Sequence, residues 1–213
     1  MVLLPMLYLP PVSYMALLHR VGDVQIEAQE NYIKSTYRNR CGIMGSNGSI
    51  DLSIPLVGGR DHHQLYRDSQ IAYDNDWQHR HRMSIISCYG STPFFEHYMS
   101  YLEPFYSKKY SHLFDYNKEL LLLLIRLMKI DVAISYTDVY DKAPANATDL
   151  RRYFKPGRIP DDYIINGFRL GLTMVDYMHV FEGERTPDLS CLDLLFNEGP
   201  QSRSILQQMV ISV

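Results

Sequence analysis

The stretch Tyr8-Leu-Pro-Pro-Val-Ser-Tyr14 limits what this chain can fold into more than any other. Proline fixes φ near −65° and has no N–H to give a sheet, so Pro10 and Pro11 must end the short apolar run Val2 to Tyr8 as a strand. Val12 to Arg20 then has helical spacing, with Val12, Met15, Ala16 and His19 on one side. Asp23 to Ala28 alternates Val24 and Ile26 against Gln25 and Glu27, the pattern of a half-buried strand. Strand, proline turn, helix, strand is the order of a βαβ unit.

Beyond it, Asn47-Gly48 between Cys41-Met44 and Ser49-Pro55 is a hairpin signal. A further short strand is expected near Ser69 to Tyr73. Trp77 to Tyr89 reads as a helix with Trp77, His81, Ser84, Ile85 and Cys88 on one face. Thr92 and Pro93 suit the cap and first position of a second helix, with Phe94, Tyr98, Tyr101, Leu102 and Phe105 as its stripe and Pro104 ending or kinking it. A third helix capped by Asn117 runs through Lys129, apolar nearly all round from Leu120 to Leu127, and belongs inside the protein. Val132 to Tyr136 reads as a strand, 140–171 as loops and turns, and Tyr177 to Phe181 as a late strand. Leu189 to Phe196 and Ser204 to Met209 read as closing helices. The sum is an α/β fold: one domain of residues 1–213, with a central mixed or mostly parallel sheet, a β-hairpin and packed helices.

A net charge of −3 argues against nucleic acid as a partner. The longest apolar run, Leu120 to Ile125, falls far short of the roughly 20 residues of a membrane helix, so no membrane insertion is expected. Cys41, Cys88 and Cys191 are odd in number and scattered, which predicts reduced thiols in a cytoplasmic protein. With 17 Tyr, the chain should hold many half-buried phenols or a polar-aromatic cleft.

Arg38-Asn39-Arg40 is the leading candidate site. Two guanidinium forks and a carboxamide suit a planar anion, and Thr36 and Tyr37 add hydroxyls. The alternative is a structural loop whose arginines tie down carboxylates. His81 is either a half-buried packing histidine or a general base. Cys88, two turns further along at roughly 10 Å of rise, cannot reach it. His79 points elsewhere, and His62-His63 reads as surface. No metal-ligand cluster appears, and the absence of GxxxxGK[ST], GxGxxG and GxSxG leaves the cofactor unnamed. Asp193 and Glu198 read as cap and surface charges, with a site role as the lesser alternative.

Taken in order, Tyr8-Leu-Pro-Pro-Val-x-Tyr14, Glu30-Asn-Tyr-Ile-Lys, Thr36-Tyr-Arg-Asn-Arg-Cys41, the Asn47-Gly48 hairpin, Asp76-Trp-Gln-x-x-His81, Ser91-Thr-Pro-Phe-Phe-Glu96 and Leu189-Ser-Cys-Leu-Asp-Leu-Leu-Phe-Asn-Glu-Gly-Pro200 resemble the WbqC-like family, most closely its Bacteroidetes-type members. The chain departs from the family pattern at Pro5-Met6 and in 140–176. The resemblance implies a transferase of surface-polysaccharide (O-antigen) assembly, which adds a glycyl, aminoacyl or acyl group to a nucleotide-linked amino sugar. On that reading Arg38 and Arg40 hold the diphosphate or carboxylate of a small anionic ligand such as a nucleotide sugar, and Asn39 orients it. Tyr8, Tyr14 and Trp77 lie on matching positions, the tyrosines contacting sugar or base, and His81 takes the amine proton. The alternatives are a non-catalytic nucleotide- or sugar-binding protein, or a homodimer with the tyrosine-rich helix 94–105 as its surface.

Overall fold

The computed structural model describes residues 1–58, 64–157, 171–179 and 188–210, together with the backbone pairing of 164–165 with 168–169. The proline turn does what its chemistry dictates. Strand β1 (Val2–Pro5) ends before it, helix α1 (Val12–Val21) starts directly after Pro11, and β2 (Asp23–Glu27) returns parallel to β1 with Val2 level with Val24 and Pro5 with Glu27. Gly22 makes the turn between α1 and β2 possible, since its φ of 71° is open to glycine at little cost.

The main sheet has the order β5-β2-β1-β6 and is parallel throughout, with β5 at Ala133–Tyr136 and β6 at Thr148–Asp149. Both faces of β1 are buried, as an inner parallel strand requires, whereas β5 covers only Ile134 and Tyr136. β3 (Arg40–Gly45) and β4 (Gly48–Ser53) form the separate antiparallel hairpin, and β7 (Ile164–Ile165) pairs with β8 (Phe168–Arg169). Helices α2 (Trp77–Tyr89), α3 (Phe95–Ser107), α4 (Leu113–Leu127), α5 (Cys191–Glu198) and α6 (Ser202–Gln208) complete a single α/β domain with one continuous core. No described helix is long and apolar enough to cross a membrane.

Several local expectations differ from what is observed. The hairpin turns at Ser46-Asn47, with Gly45 opposite Gly48; the turn residues keep negative φ and Gly48 takes the positive value, 109°. Thr92 closes the preceding helix, its hydroxyl donating to the Tyr89 carbonyl, and α3 begins at Phe95. Pro104 neither ends nor shortens α3: it lies on the exposed face, where water can serve the freed carbonyl, while Leu102, Phe105 and Tyr106 hold the helix to the core. α3 thus spends most of its aromatic stripe inside, with Tyr101 exposed.

Asn117 is interior to α4 rather than its cap. It is fully buried and donates to the Arg38 carbonyl and the Tyr66 hydroxyl, each at 2.7 Å. Around Ile71 there are isolated bridges to Leu56 and, from Gln70, to His112, but no strand. β6 was not expected at all: two residues with no apolar alternation leave no periodic signal. Residues 177–179 take no regular structure, and 180–181 lie outside the described residues, as do His62 and His63.

Candidate functional site

In a parallel sheet every strand points the same way, so residues just past the strand ends gather on one edge, where α/β proteins place ligands. Here that edge carries Glu27 at the end of β2, Thr137 just past β5 and Asp149 at the end of β6, with Glu30, Arg38 and Arg151 packed above them. Arg151 joins the strands. Its Nη1 donates to Glu27 at 2.8 Å, and its Nε and Nη2 donate to Asp149 at 2.9 and 2.7 Å. Thr137 adds a 2.6 Å hydroxyl bond to Glu27. Burial opposes ionisation of Asp149, but the Arg151 bonds outweigh it and hold its carboxyl below the usual range.

Arg38 is almost fully buried and donates Nε and Nη2 to Glu30 Oε1 at 2.8 and 2.6 Å, with further bonds to Thr36 Oγ1 and the Arg151 carbonyl. Both carboxylate bonds fall on Oε1. Burial pushes the Glu30 carboxyl up in spite of its guanidinium partner.

Outside this network two adjoining hollows open. One, about 390 Å³, is lined by Glu30, Asn31, Ile33, Tyr140, Lys142, Asp149, Arg151 and Arg152. The other, about 190 Å³, shares Ile33, Arg151 and Arg152 and adds Thr36, Arg38, Phe154 and Lys155. Lys142, Arg152 and Lys155 are exposed and form no ion pair with a described carboxylate. Tyr140 lies 5.0 Å over the Arg151 guanidinium at the mouth. Cations around a hollow with low-dielectric walls concentrate an anion there.

The expected site residues do not all meet at this crevice. Arg38 lines it, with its fork turned inward to Glu30. Arg40 starts β3, and its buried Nε has no partner among the described residues; Asn39 donates to the Ile54 carbonyl at 2.9 Å. Tyr14 donates to the Pro5 carbonyl and sets its ring against Phe154. Tyr8, Trp77 and His81 do come together, in the interior: Tyr8 Oη lies 3.0 Å from His81 Nδ1, and the His81 ring meets Trp77 edge to face at 5.1 Å. Burial lowers the His81 pKa to about 4, against a Ser53 carbonyl that favours the charged ring. His81 is therefore a neutral, enclosed histidine, and it lines neither hollow.

Sequence reasoning missed Arg151, Arg152 and Lys142, because they lie in a stretch without periodicity. It also placed Asp193 as a surface or cap charge, whereas Asp193 is buried in the first turn of α5.

Fold and crevice together define an α/β protein whose parallel sheet offers a cation-rimmed hollow at its carboxyl edge. Residues 6–157 match the WbqC-like protein family, and the chain belongs to it. The uncharacterized protein Rv1507c of Mycobacterium tuberculosis (strain H37Rv) is 24% identical over 219 residues, which span 94% of each chain. No solved structure matches.

Proposed function

We propose that this protein binds a phosphorylated small molecule, a nucleotide-linked sugar, in the crevice at the carboxyl edge of its sheet. The observation that carries the reading is the set Lys142, Arg152 and Lys155, three exposed cations around one pair of hollows that form no ion pair with a described carboxylate, in a chain of net charge −3. The phosphates lie against these cations, and the apolar side chains of Ile33 and Phe154 and the ring of Tyr140 offer contacts to base or sugar. Arg38 and Arg151 act one layer below, holding the loops that carry the outer cations.

A second reading, transfer of an aminoacyl or acyl group to the amine of such a sugar, is favoured by Glu30. Its carboxyl lines the same hollow, burial raises its pKa, and Oε2 takes no bond from Arg38. A carboxylate so placed can take the proton an amine gives up as its amide forms. His81 has no part in this reading, since it is enclosed away from the crevice.

Isothermal titration with UDP, UDP-N-acetylglucosamine and inorganic phosphate tests the proposal. The nucleotide sugar should bind the wild type, and K142A/R152A should weaken it by about ten-fold or more, with a strong salt dependence. Equal affinity in the double variant, or no binding of any nucleotide, overturns the reading.

A further inference from the structure

A second cluster of titratable groups lies apart from the crevice, and none of its members lines either hollow. Asp193, 2% exposed, stands in the first turn of α5, and its Oδ2 lies 3.0 Å from His179 Nδ1. The same oxygen accepts the Tyr177 hydroxyl at 2.8 Å, and Tyr89 is within hydrogen-bonding reach of the carboxylate. Tyr177 packs on the His179 ring with centroids 4.2 Å apart. The Met178 N–H, donating to Glu198 at 2.8 Å, ties the intervening backbone to the C-terminal end of α5.

These contacts fix the imidazole in one orientation and one tautomer. A carboxylate facing Nδ1 places the ring proton there and leaves the lone pair on Nε2. The side chain is 8% exposed, and no hydrogen bond joins Nε2 to a described residue. A histidine serving only to pack would cap both nitrogens, as His81 does with Tyr8 and the Ser53 carbonyl. A carboxylate on Nδ1 with Nε2 taken by no described residue is the arrangement by which a histidine takes a proton from a bound O–H or N–H.

We propose that His179 Nε2, positioned by Asp193, is a proton-accepting site for a hydroxyl- or amine-bearing ligand. In the simplest reaction it could assist, water attacks an ester carbonyl while Nε2 takes the water proton. A C–O bond forms, the bond to the leaving phenolate breaks, and the proton passes from the imidazolium to solvent.

Two measurements decide it. The first needs no variant: diethyl pyrocarbonate labelling of the wild type, followed peptide by peptide. His179 should be modified about as fast as exposed His97 and about ten-fold or more faster than enclosed His81. The second is p-nitrophenyl acetate hydrolysis, which H179Q should reduce to the background set by buffer and the remaining seven histidines, with D193N lowering the rate and displacing its pH profile. If His179 labels as slowly as His81, the site is closed and the proposal fails whatever the variants do. If it labels but H179Q hydrolyses the ester as fast as wild type, proton transfer at this ring is refuted.

Discussion

Asp188 offers the sharpest test of how burial sets stability in this protein. Its carboxyl is buried, takes the Ser13 N–H at the start of α1 at 2.9 Å, and receives the Ser13 hydroxyl on its other oxygen. Burial raises its pKa from 3.8 to about 7, with the two Ser13 bonds working against the rise. A raised carboxyl pKa stabilises the fold below the unfolded value and loses that contribution as pH climbs through the folded one. The rise corresponds to about 4 kcal/mol, lost between about pH 4 and pH 7. His81 works in the opposite sense. Its pKa, lowered from 6.5 to about 4, costs stability as pH falls through that window, so the two groups mask each other in the wild type.

Asp188→Asn separates them. The residue sits at φ 63°, which asparagine tolerates; the amide oxygen can accept the Ser13 N–H and the amide nitrogen can donate to Ser13 Oγ. D188N should therefore match the wild type near pH 4 and exceed it by about 4 kcal/mol at pH 8. The difference should grow by about 1.4 kcal/mol per pH unit. Urea denaturation followed by circular dichroism from pH 4 to pH 8 reads this directly. A difference that does not change with pH, or a variant less stable than wild type at pH 8, refutes the reasoning.

Tyr8→Phe removes the hydroxyl beside His81 Nδ1 and leaves a buried ring nitrogen unpaired; a loss of about 1–3 kcal/mol in the same assay is expected. Gly199→Ala should cost about 3–5 kcal/mol, because Gly199 has φ 51° and ψ −120° and a Cβ there would lie 2.5 Å from the Phe94 ring. A chain ended after Gly157 keeps the family-matching region but loses the Leu189 carbonyl that accepts from Val12, the Cys191 N–H that donates to Pro10 and the Ser190 N–H that donates to Gly42. Its thermal unfolding should lose cooperativity, read as a broadened or absent calorimetric transition.

Where periodicity or a proline forced the backbone, the sequence was legible. The βαβ opening, the limits of α2 and the interior placement of α4 followed from spacing alone, although Leu122 of α4 faces solvent. Pro104 does not end α3, because the cost of a missing N–H depends on which face it lands on, and only the fold decides that. The arginine loop was legible as chemistry and illegible as direction. Residue types in 36–41 announce anion binding, yet the anion met by Arg38 is Glu30 of the same chain. The cations of the crevice lie in 142–155, where nothing repeats, and only parallel pairing of β6 beside β1 brings them to the edge.

The two layers of charge at that edge perform different work. Buried ion pairs such as Arg38–Glu30 and Arg151–Glu27 gain little net stability, since desolvation offsets much of their attraction. Their effect is geometric. Arg151 binds the ends of β2 and β6 across β1, and Arg38 fixes the loop between β2 and the hairpin while touching the Arg151 carbonyl. With Arg151 held inward by three charge-assisted bonds, the next residue, Arg152, is left exposed on the wall that both hollows share. The inner arginines are held by carboxylates, whereas the outer cations form no ion pair with a described carboxylate. Removing an inner pair should disorder the crevice, and, if the proposed anion binds there, removing an outer cation should weaken its binding while the fold remains.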